Sequence, residues 1–251
     1  MESFRVLGCR VDAVDAAGAV ERIVELANAP SFSLVVTLGV EMVMCAQRDR
    51  TFRATVNGAA LSVCDTIGLL LASRVRHGPL RKRVAGIELL SDLAARSAAR
   101  GDLRLFLLGG AGDTAERAVH EFQRRFPGVI ICGARDGYFP ESDSAAVAST
   151  IAASGANLVC AGLGSPKQER WLAQYGAATR CGAGIGIGGS LDVFAGTVQR
   201  APRLVQRTGL EWAYRLVREP RRWRRQLALP QFVMAMIREL VCGEGNQRSY
   251  R

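Results

Sequence analysis

Long apolar runs are missing from this 251-residue chain, where no stretch approaches the ~20 consecutive apolar residues that a membrane-spanning helix requires. The opening MESFRVLGCRVD also lacks the apolar core of a signal peptide, so the expected location is the cytoplasm, with any membrane contact made at the surface. Histidine is scarce, at two residues. Seven cysteines (Cys9, Cys45, Cys64, Cys132, Cys160, Cys181, Cys242) stand far apart with no CxxC pair, which argues against a zinc site or disulfide framework. They read as small buried hydrophobes in a reducing compartment. No P-loop, GxSxG elbow or HExxH pair is present, nor any tandem repeat or low-complexity stretch.

Nearly half the residues are apolar, enough for one substantial α/β core plus an appendage. The 27 glycines are scattered without a short period, which suits strand-to-helix turns. Net charge is +10, and its placement is uneven. Between Arg200 and Arg225 lie nine arginines and two glutamates, a local +7 that leaves +3 for the rest. The basic character belongs to one segment.

Short apolar runs alternate with amphipathic helical stretches, the pattern of βαβ units around a mostly parallel, Rossmann-like sheet flanked by helices. SLVVTLG, ALSVCD, RLFLLGG, VIICGA, NLVCAGLG and GAGIGIGG are the predicted strands. VDAAGAVERIVELANA, EMVMCAQRDRTFRATV, IELLSDLAARSAAR, DTAERAVHEFQRRF and SDSAAVASTIAAS are the predicted helices. After Gly196 no strand is expected, only two Arg-rich helical segments broken by Pro220. The division is therefore a catalytic domain over 1–199 and a basic helical appendage over 200–251.

Each predicted strand ends in Gly, Thr or Asp, at the edge where ligands bind in this architecture. Gly109 and Gly110 lead into Gly110-Ala111-Gly112-Asp113-Thr114-Ala115, a G-x-G-x-x-A between a strand and a helix, which matches a dinucleotide fingerprint. The next strand ends without the acid that would hold a ribose, so a plain tight turn or a nucleotide diphosphate near the helix N-terminus compete with an NAD(P) oxidoreductase. Asp65, in VCDTIG, is read either as an N-cap for the following helix or, if its strand neighbours that of Thr37, as one of a carboxylate and hydroxyl pair able to take a proton from a substrate alcohol. In AGLGSPKQERWL, Pro166 and Glu169 are helix-start signals, whereas Gly164, Lys167 and Gln168, with Gly189 of GGSLD, suggest backbone and cation beside an anion. Asp-x-Asp, the pair that holds a divalent metal over a diphosphate in many sugar-nucleotide enzymes, is absent. Neither a metal nor a cofactor is expected.

These segments, in order, resemble the WecG/TagA/CpsF family of bacterial glycosyltransferases. The resemblance runs from about Thr37 to about Arg225 through T-x-G-x-E (Thr37 to Glu41), C-D-T-I-G, R-V-A-G-I-E (Arg83 to Glu88), F-L-L-G-G, D-G-Y-F (Asp136 to Phe139), G-L-G-S-P-K-Q-E, G-G-S-L-D-V-F-A-G and G-L-E-W-A-Y-R-L-x-x-E-P-R-R. It implies metal-free, inverting transfer of a sugar, commonly N-acetylmannosamine or a relative, from a UDP-sugar donor to a polyprenyl-diphosphate-linked sugar acceptor. It further implies Asp65 as the base, Thr37 as a pocket hydroxyl, Arg83, Gln168 and Asp192 in the substrate pocket, and Tyr138 beside the nucleotide. Two positions depart from the family pattern. Gly39 stands where Asn is usual, and Thr66 follows Asp65 where Gly is usual, so a different donor or a rebuilt subsite is expected.

The stretch GLEWAYRLVREPRRWRRQ is either a solvated charged face or a contact to an anionic surface. Arg215, Arg218 and Arg222 recur every three or four residues beside Trp212, Leu216 and Trp223, a composition suited to the inner leaflet of a membrane, where each basic residue contributes about 1 kcal/mol. In the resembled family this region covers the active site and is tied to membrane association. Arg215, Arg222 and Arg225 are thus expected at the diphosphate of donor or acceptor. Nucleic acid, the partner a pI near 9.9 would suggest, is disfavoured because no nucleic-acid fold signature accompanies the charge. The apolar VFAGTV and QFVMAMIREL segments can pack within one chain or between chains, which leaves a homo-oligomer open.

Overall fold

All six apolar runs form strands, and all six pair in parallel. The computed structural model describes residues 1–199, 201, 202, 205, 211–218, 223 and 227–247, with 211, 215 and 242–247 described by backbone alone. The strands are β3 (Ser33–Leu38), β4 (Leu61–Cys64), β5 (Leu105–Gly109), β6 (Ile131–Arg135), β7 (Leu158–Gly162) and β8 (Ala183–Gly186), in the order β4-β3-β8-β7-β5-β6. Successive side chains alternate between faces. Val35, Leu61, Val63, Leu105, Leu107, Leu158 and Ile185 enter one core, while Val36, Leu38, Phe106, Leu108 and Val159 enter the cores on the other side. Burial on both faces is what lets these runs read as continuously apolar.

The first face is covered by α1 (Ala16–Ala27), α5 (Gly86–Arg100), α6 (Thr114–Arg125) and α9 (Ser190–Phe194), with Phe122 stacked on Phe194 at 4.2 Å. The second face carries α2 (Val40–Arg48), α3 (Arg50–Asn57), α4 (Ile67–Val75), α7 (Ser144–Ser154) and α8 (Lys167–Tyr175). A hairpin absent from the sequence reading, β1 (Ser3–Val6) with β2 (Cys9–Asp12), closes the β4 side, where Asp12 accepts a 2.8 Å bond from the Ser62 N–H. The single helix expected over residues 41–56 is two. Asp49 adopts an extended conformation and caps α3 by accepting from the Phe52 N–H at 2.9 Å, so its carboxylate ends one helix and begins another.

Beyond Gly196 the described residues contain no strand, and two helices are seen, Glu211–Arg218 and Ala228–Gln247. The second docks Phe232 and Met236 into the core with α2 and α4. Polar contacts from Arg48 to Gln231 (2.7 Å) and from Arg76 to Glu239 (3.1 Å) flank it.

β5 continues outward to β6, whereas β7 turns back toward β8, so the strand order reverses between β5 and β7, the place where sheets of this kind bind ligands at their carboxyl ends. The opposite edge is stapled by Asn157, which is 5% exposed. Its Oδ1 accepts from the Arg104 N–H (2.7 Å), and its Nδ2 donates to the Asp102 carbonyl (2.9 Å) and to Asn28 Oδ1 (3.0 Å). Replacing it with leucine strands these partners, so Asn157→Leu is expected to lower the unfolding free energy by roughly 2–4 kcal/mol in urea titration, with kcat of the folded enzyme unchanged.

Candidate active site

The neighbouring of β3 and β4 that the Thr37–Asp65 pairing required is present, with Thr37 opposite Val63 and Leu38 opposite Cys64. Asp65 continues that ladder by donating its N–H to the Leu38 carbonyl (3.0 Å). Its side chain departs from the simple cap reading. Thr66 is the N-cap residue of α4, and Asp65 Oδ1 accepts a 2.7 Å bond from the N–H of Gly86, the first residue of α5. The Asp65 carboxylate thus caps a helix 21 residues downstream, where Ala85 at the N-cap position offers no side chain for the task. The loop between them is tied by the Val84 N–H to the Cys64 carbonyl at 2.8 Å. That return places Arg83 beside the strand end: burial pushes the Cys64 thiol up to about 12, the Asp65 charge adds to it, and the Arg83 charge opposes it.

Thr37 is buried and donates its hydroxyl proton to the Gly186 carbonyl at 2.8 Å. Toward a ligand it therefore presents oxygen lone pairs. Gly86 also faces Thr37, since a Cβ there would lie in ordinary contact, 3.5 to 3.6 Å, with the threonine side chain. One glycine thus bonds the carboxylate-bearing residue and faces the hydroxyl-bearing one.

Next to this pair the ends of β6, β5, β7 and β8 meet as bare backbone. A Cβ on Gly109 would lie 2.5 Å from the Gly162 carbonyl, one on Gly162 would lie 2.8 Å from the Gly188 carbonyl, and one on Gly137 would lie 3.1 Å from the Gly109 α-carbon. Gly109 also has φ 149°, which L side chains rarely adopt. The Gly110 carbonyl receives the Gly137 N–H at 2.8 Å. Around this shelf stand Lys167 and Arg135, on the Phe139 ring at 5.3 and 5.7 Å, and Tyr138, whose ring is 80% exposed. Asp136, which follows β6, accepts from the Tyr138 N–H at 2.9 Å.

Gln168 and Glu169 lie beneath β8, 2% and 0% exposed. Gln168 Oε1 accepts from the Gly188 N–H (3.1 Å), and its Nε2 donates to Glu169 Oε1 (2.7 Å). Burial pushes the Glu169 carboxyl up, outweighing the opposing hydrogen bond from Gln168. Gly164 is open to its surroundings and accepts from the Gln168 N–H at 3.0 Å. Gly189 is the N-cap residue of α9, whose first turn carries Asp192. A cleft of about 690 Å³ lies between α5, the end of α6, α9 and the helix Glu211–Arg218, walled by Ile87, Arg125, Val193, Phe194, Tyr214 and Arg218. The helix Glu211–Arg218 includes Arg215, whose side chain lies outside the described residues, as do Arg222 and Arg225.

The structure therefore gathers Thr37, Asp65, Arg83, Gly109, Gly110, Tyr138, Gly164, Lys167, Gln168, Gly189 and Asp192 along one sheet edge. Sequence reasoning missed Gly86, although it lies inside the quoted RVAGIE, and took Glu169 for a helix-start signal. It also passed over Arg135 and Phe139, which only the fold brings to Lys167.

A parallel α/β sheet whose ligand edge carries Asp65 and Asp192 beside a shelf of peptide backbone has the architecture of many α/β enzymes. The sequence matches the Glycosyl transferase WecG/TagA/CpsF family over residues 4–245. The chain belongs to that family and is a glycosyltransferase. It is similar to the N-acetylglucosaminyldiphosphoundecaprenol N-acetyl-beta-D-mannosaminyltransferase of Bacillus spizizenii (strain W23), with 35% identity over 206 residues, 82% of this chain and 79% of the relative. It is 32% identical over 218 residues to the protein of the same description in Bacillus subtilis (strain 168), covering 87% and 82%. That membership replaces the oxidoreductase and nucleic-acid alternatives.

Gly39 and Thr66, the two departures from the family pattern, touch each other: a Cβ on Gly39 would come 3.2 Å from the Thr66 methyl. The threonine methyl stands where a side chain at position 39 would begin. Gly39→Asn alone is expected to cost about 1–3 kcal/mol by crowding, and Thr66→Gly to relieve at least half of that, giving a coupling above about 0.5 kcal/mol in a urea double-mutant cycle.

Proposed function

We propose that this glycosyltransferase moves an N-acetylhexosamine from a UDP-sugar to a saccharide carried on a polyprenyl diphosphate, with inversion and without a metal, and that it does so at the membrane surface. N-Acetylmannosamine as the sugar and N-acetylglucosaminyl-diphosphoundecaprenol as the acceptor are suggested by the names of both relatives. The observation that carries the reading is the Asp65 carboxylate held by the Gly86 N–H beside Thr37, at the ligand edge.

In this reading the acceptor hydroxyl gives its proton to Asp65 as its oxygen attacks the anomeric carbon. The new C–O bond forms on the face opposite UDP, and the bond to the diphosphate oxygen breaks with its electron pair leaving on UDP. One base suffices for such a displacement. Thr37, with lone pairs toward the ligand, accepts a hydrogen bond from a sugar group and orients it. Arg83, Lys167, backbone along the glycine shelf and the arginines Arg215, Arg222 and Arg225 meet the charge on the departing diphosphate, the preorganised stabilisation that dominates many enzymes. Tyr138, exposed at the β6 end, is suited to stacking on the uracil base. The cleft beside Ile87 and Val193, within the size range of small-molecule sites, is the place for the acceptor saccharide.

Residues 1–199 act in this reading as the catalytic domain and 200–251 as its basic cover. No helix of the described residues is long and apolar enough to cross a membrane. An apolar surface is nonetheless exposed: Val233, Met234, Ile237 and Val241 on the helix Ala228–Gln247, with Ile67, Leu71 and Val75 on α4, which lies beside that helix through Gly68 and Phe232. This stripe, next to the arginine-rich stretch, supports docking on an anionic inner leaflet.

Two experiments test the reading. A panel of UDP-sugars with a short-chain polyprenyl-diphosphate sugar acceptor should show UDP release for one N-acetylhexosamine, and Asp65→Asn should lose at least about 10³-fold in kcat with little change in UDP affinity. Equal rates in the variant would remove Asp65 from the chemistry. Replacing both Met234 and Ile237 with Glu should abolish co-sedimentation with vesicles containing anionic lipid while transfer to a short soluble acceptor persists.

A further inference from the structure

Glu169 has no partner of opposite charge in contact, is fully buried, and leaves Oε2 without a hydrogen-bond partner among the described residues. A carboxyl group in such a place costs stability that an apolar side chain of similar size would not. Its carboxyl is met by the neighbouring Gln168 amide, at 2.7 Å, and by the Ser165 hydroxyl. That amide has two ends with different duties. The backbone N–H of Gly188 is a donor, so the Gln168 atom facing it at 3.1 Å has to be the oxygen. Nε2 then has to face Glu169, and an acceptor is needed there. Without one, the amide loses the reason to keep its oxygen on Gly188.

The consequences run in two directions along β8. Gly188 precedes Gly189, the N-cap residue of the short helix that carries Asp192. Gly186 is pressed against the same pair, since a Cβ there would lie 2.5 Å from Gln168 Nε2 and 2.8 Å from Glu169 Oε1. The Gly186 carbonyl is the group that holds the Thr37 hydroxyl at 2.8 Å. We propose that Glu169 is a positioning residue of the transfer reaction: through the Gln168 amide it fixes the Gly188 turn ahead of Asp192 and backs the Gly186 carbonyl that aims Thr37. Burial favours the uncharged carboxyl, whose carbonyl oxygen is the acceptor that Gln168 requires. Asp49, Arg48 and Arg170 act together with Glu169 on the Cys45 thiol, and Arg170 is itself paired with Asp49.

The inference rests on the proposed transfer for its kinetic readout and on the fold alone for a second one, the hydrogen exchange of the Gly188 amide. Glu169→Gln keeps an acceptor oxygen in place, and is expected to retain at least about half the wild-type kcat and the protection of Gly188. Glu169→Met keeps the bulk and loses the acceptor, and is expected to lower kcat about tenfold, with the donor KM within about twofold, and to speed Gly188 exchange about tenfold. Gln168→Leu should do the same, and the double variant should be no worse than either single one. Glu169→Gln as damaging as Asp65→Asn would make the group an ionised participant in the chemistry and overturn the proposal. So would a folded Glu169→Met with wild-type kcat and Gly188 protection, which would leave packing as its only role, or additive losses in the double variant. Should Glu169→Met fail to fold, Gln168→Leu with unchanged kcat and exchange overturns it equally. Absence of transfer by the wild type would sink the proposed reaction instead, and Gly188 exchange in the same variants would then decide the inference alone.

Discussion

The site depends on one hydrogen bond between distant parts of the chain, from the Gly86 N–H to Asp65 Oδ1. A helix begins with N–H groups that have no partner, and a short polar side chain just ahead of it ordinarily serves them. Here Ala85 cannot, and the helix end takes its acceptor from the end of β4. The same bond has two effects. It satisfies α5, and it fixes the carboxylate against rotation at the ligand edge, with Gly86 facing Thr37. Stability of the α5 start and orientation of the proposed base are therefore one interaction seen from two sides, and a substitution at Asp65 disturbs both.

Backbone crowding sets the second constraint. Parallel strands sit about 4.8 Å apart, which ordinarily leaves room for side chains above each strand end. At the ends of β6, β5 and β7 the loops instead lean onto one another, so that Gly137, Gly109 and Gly162 each occupy space that a methyl group would contest. A shelf made this way offers peptide groups and shape, and places its cations, Lys167 and Arg135, at the side on one shared phenyl ring. It is rigid for the same reason that it is bare.

The sheet was legible because its physics is local. Runs such as SLVVTLG and RLFLLGG are apolar on both faces, and their ends are marked by residues that stop a strand. Thr37 and Asp65 were visible for that reason, as strand-end polar residues on neighbouring runs. What stayed hidden was long-range. Asp49 splitting a predicted helix is a local cap that the surrounding helical periodicity masks. The depth of Glu169 follows from Gly186, 17 residues away, having no side chain to keep it out. Gly86 looks like an ordinary helix-start residue until Asp65 is placed on it. The hairpin at Ser3–Asp12 is too short for its alternation to stand out, and only Asp12 bonding to β4 gives it a purpose.

Charge is the property least entangled with the fold. The stretch from Arg200 to Arg225 holds +7 of the +10. The described helices that bracket its Arg221, Arg222, Arg224 and Arg225 are nevertheless anchored on opposite faces of the sheet. Tyr214 and Arg218 wall the cleft against α5 and α9, and Phe232 and Met236 sit in the core of the α2 and α4 side. Phe232 approaches Gly68 in the first turn of α4, and Tyr214 and Arg218 share their cleft with Ile87 in the first turn of α5. Both flanking helices are docked on the protein, so the charge between them is tethered to the fold, and screening limits its reach to about a Debye length, roughly 8 Å at physiological ionic strength.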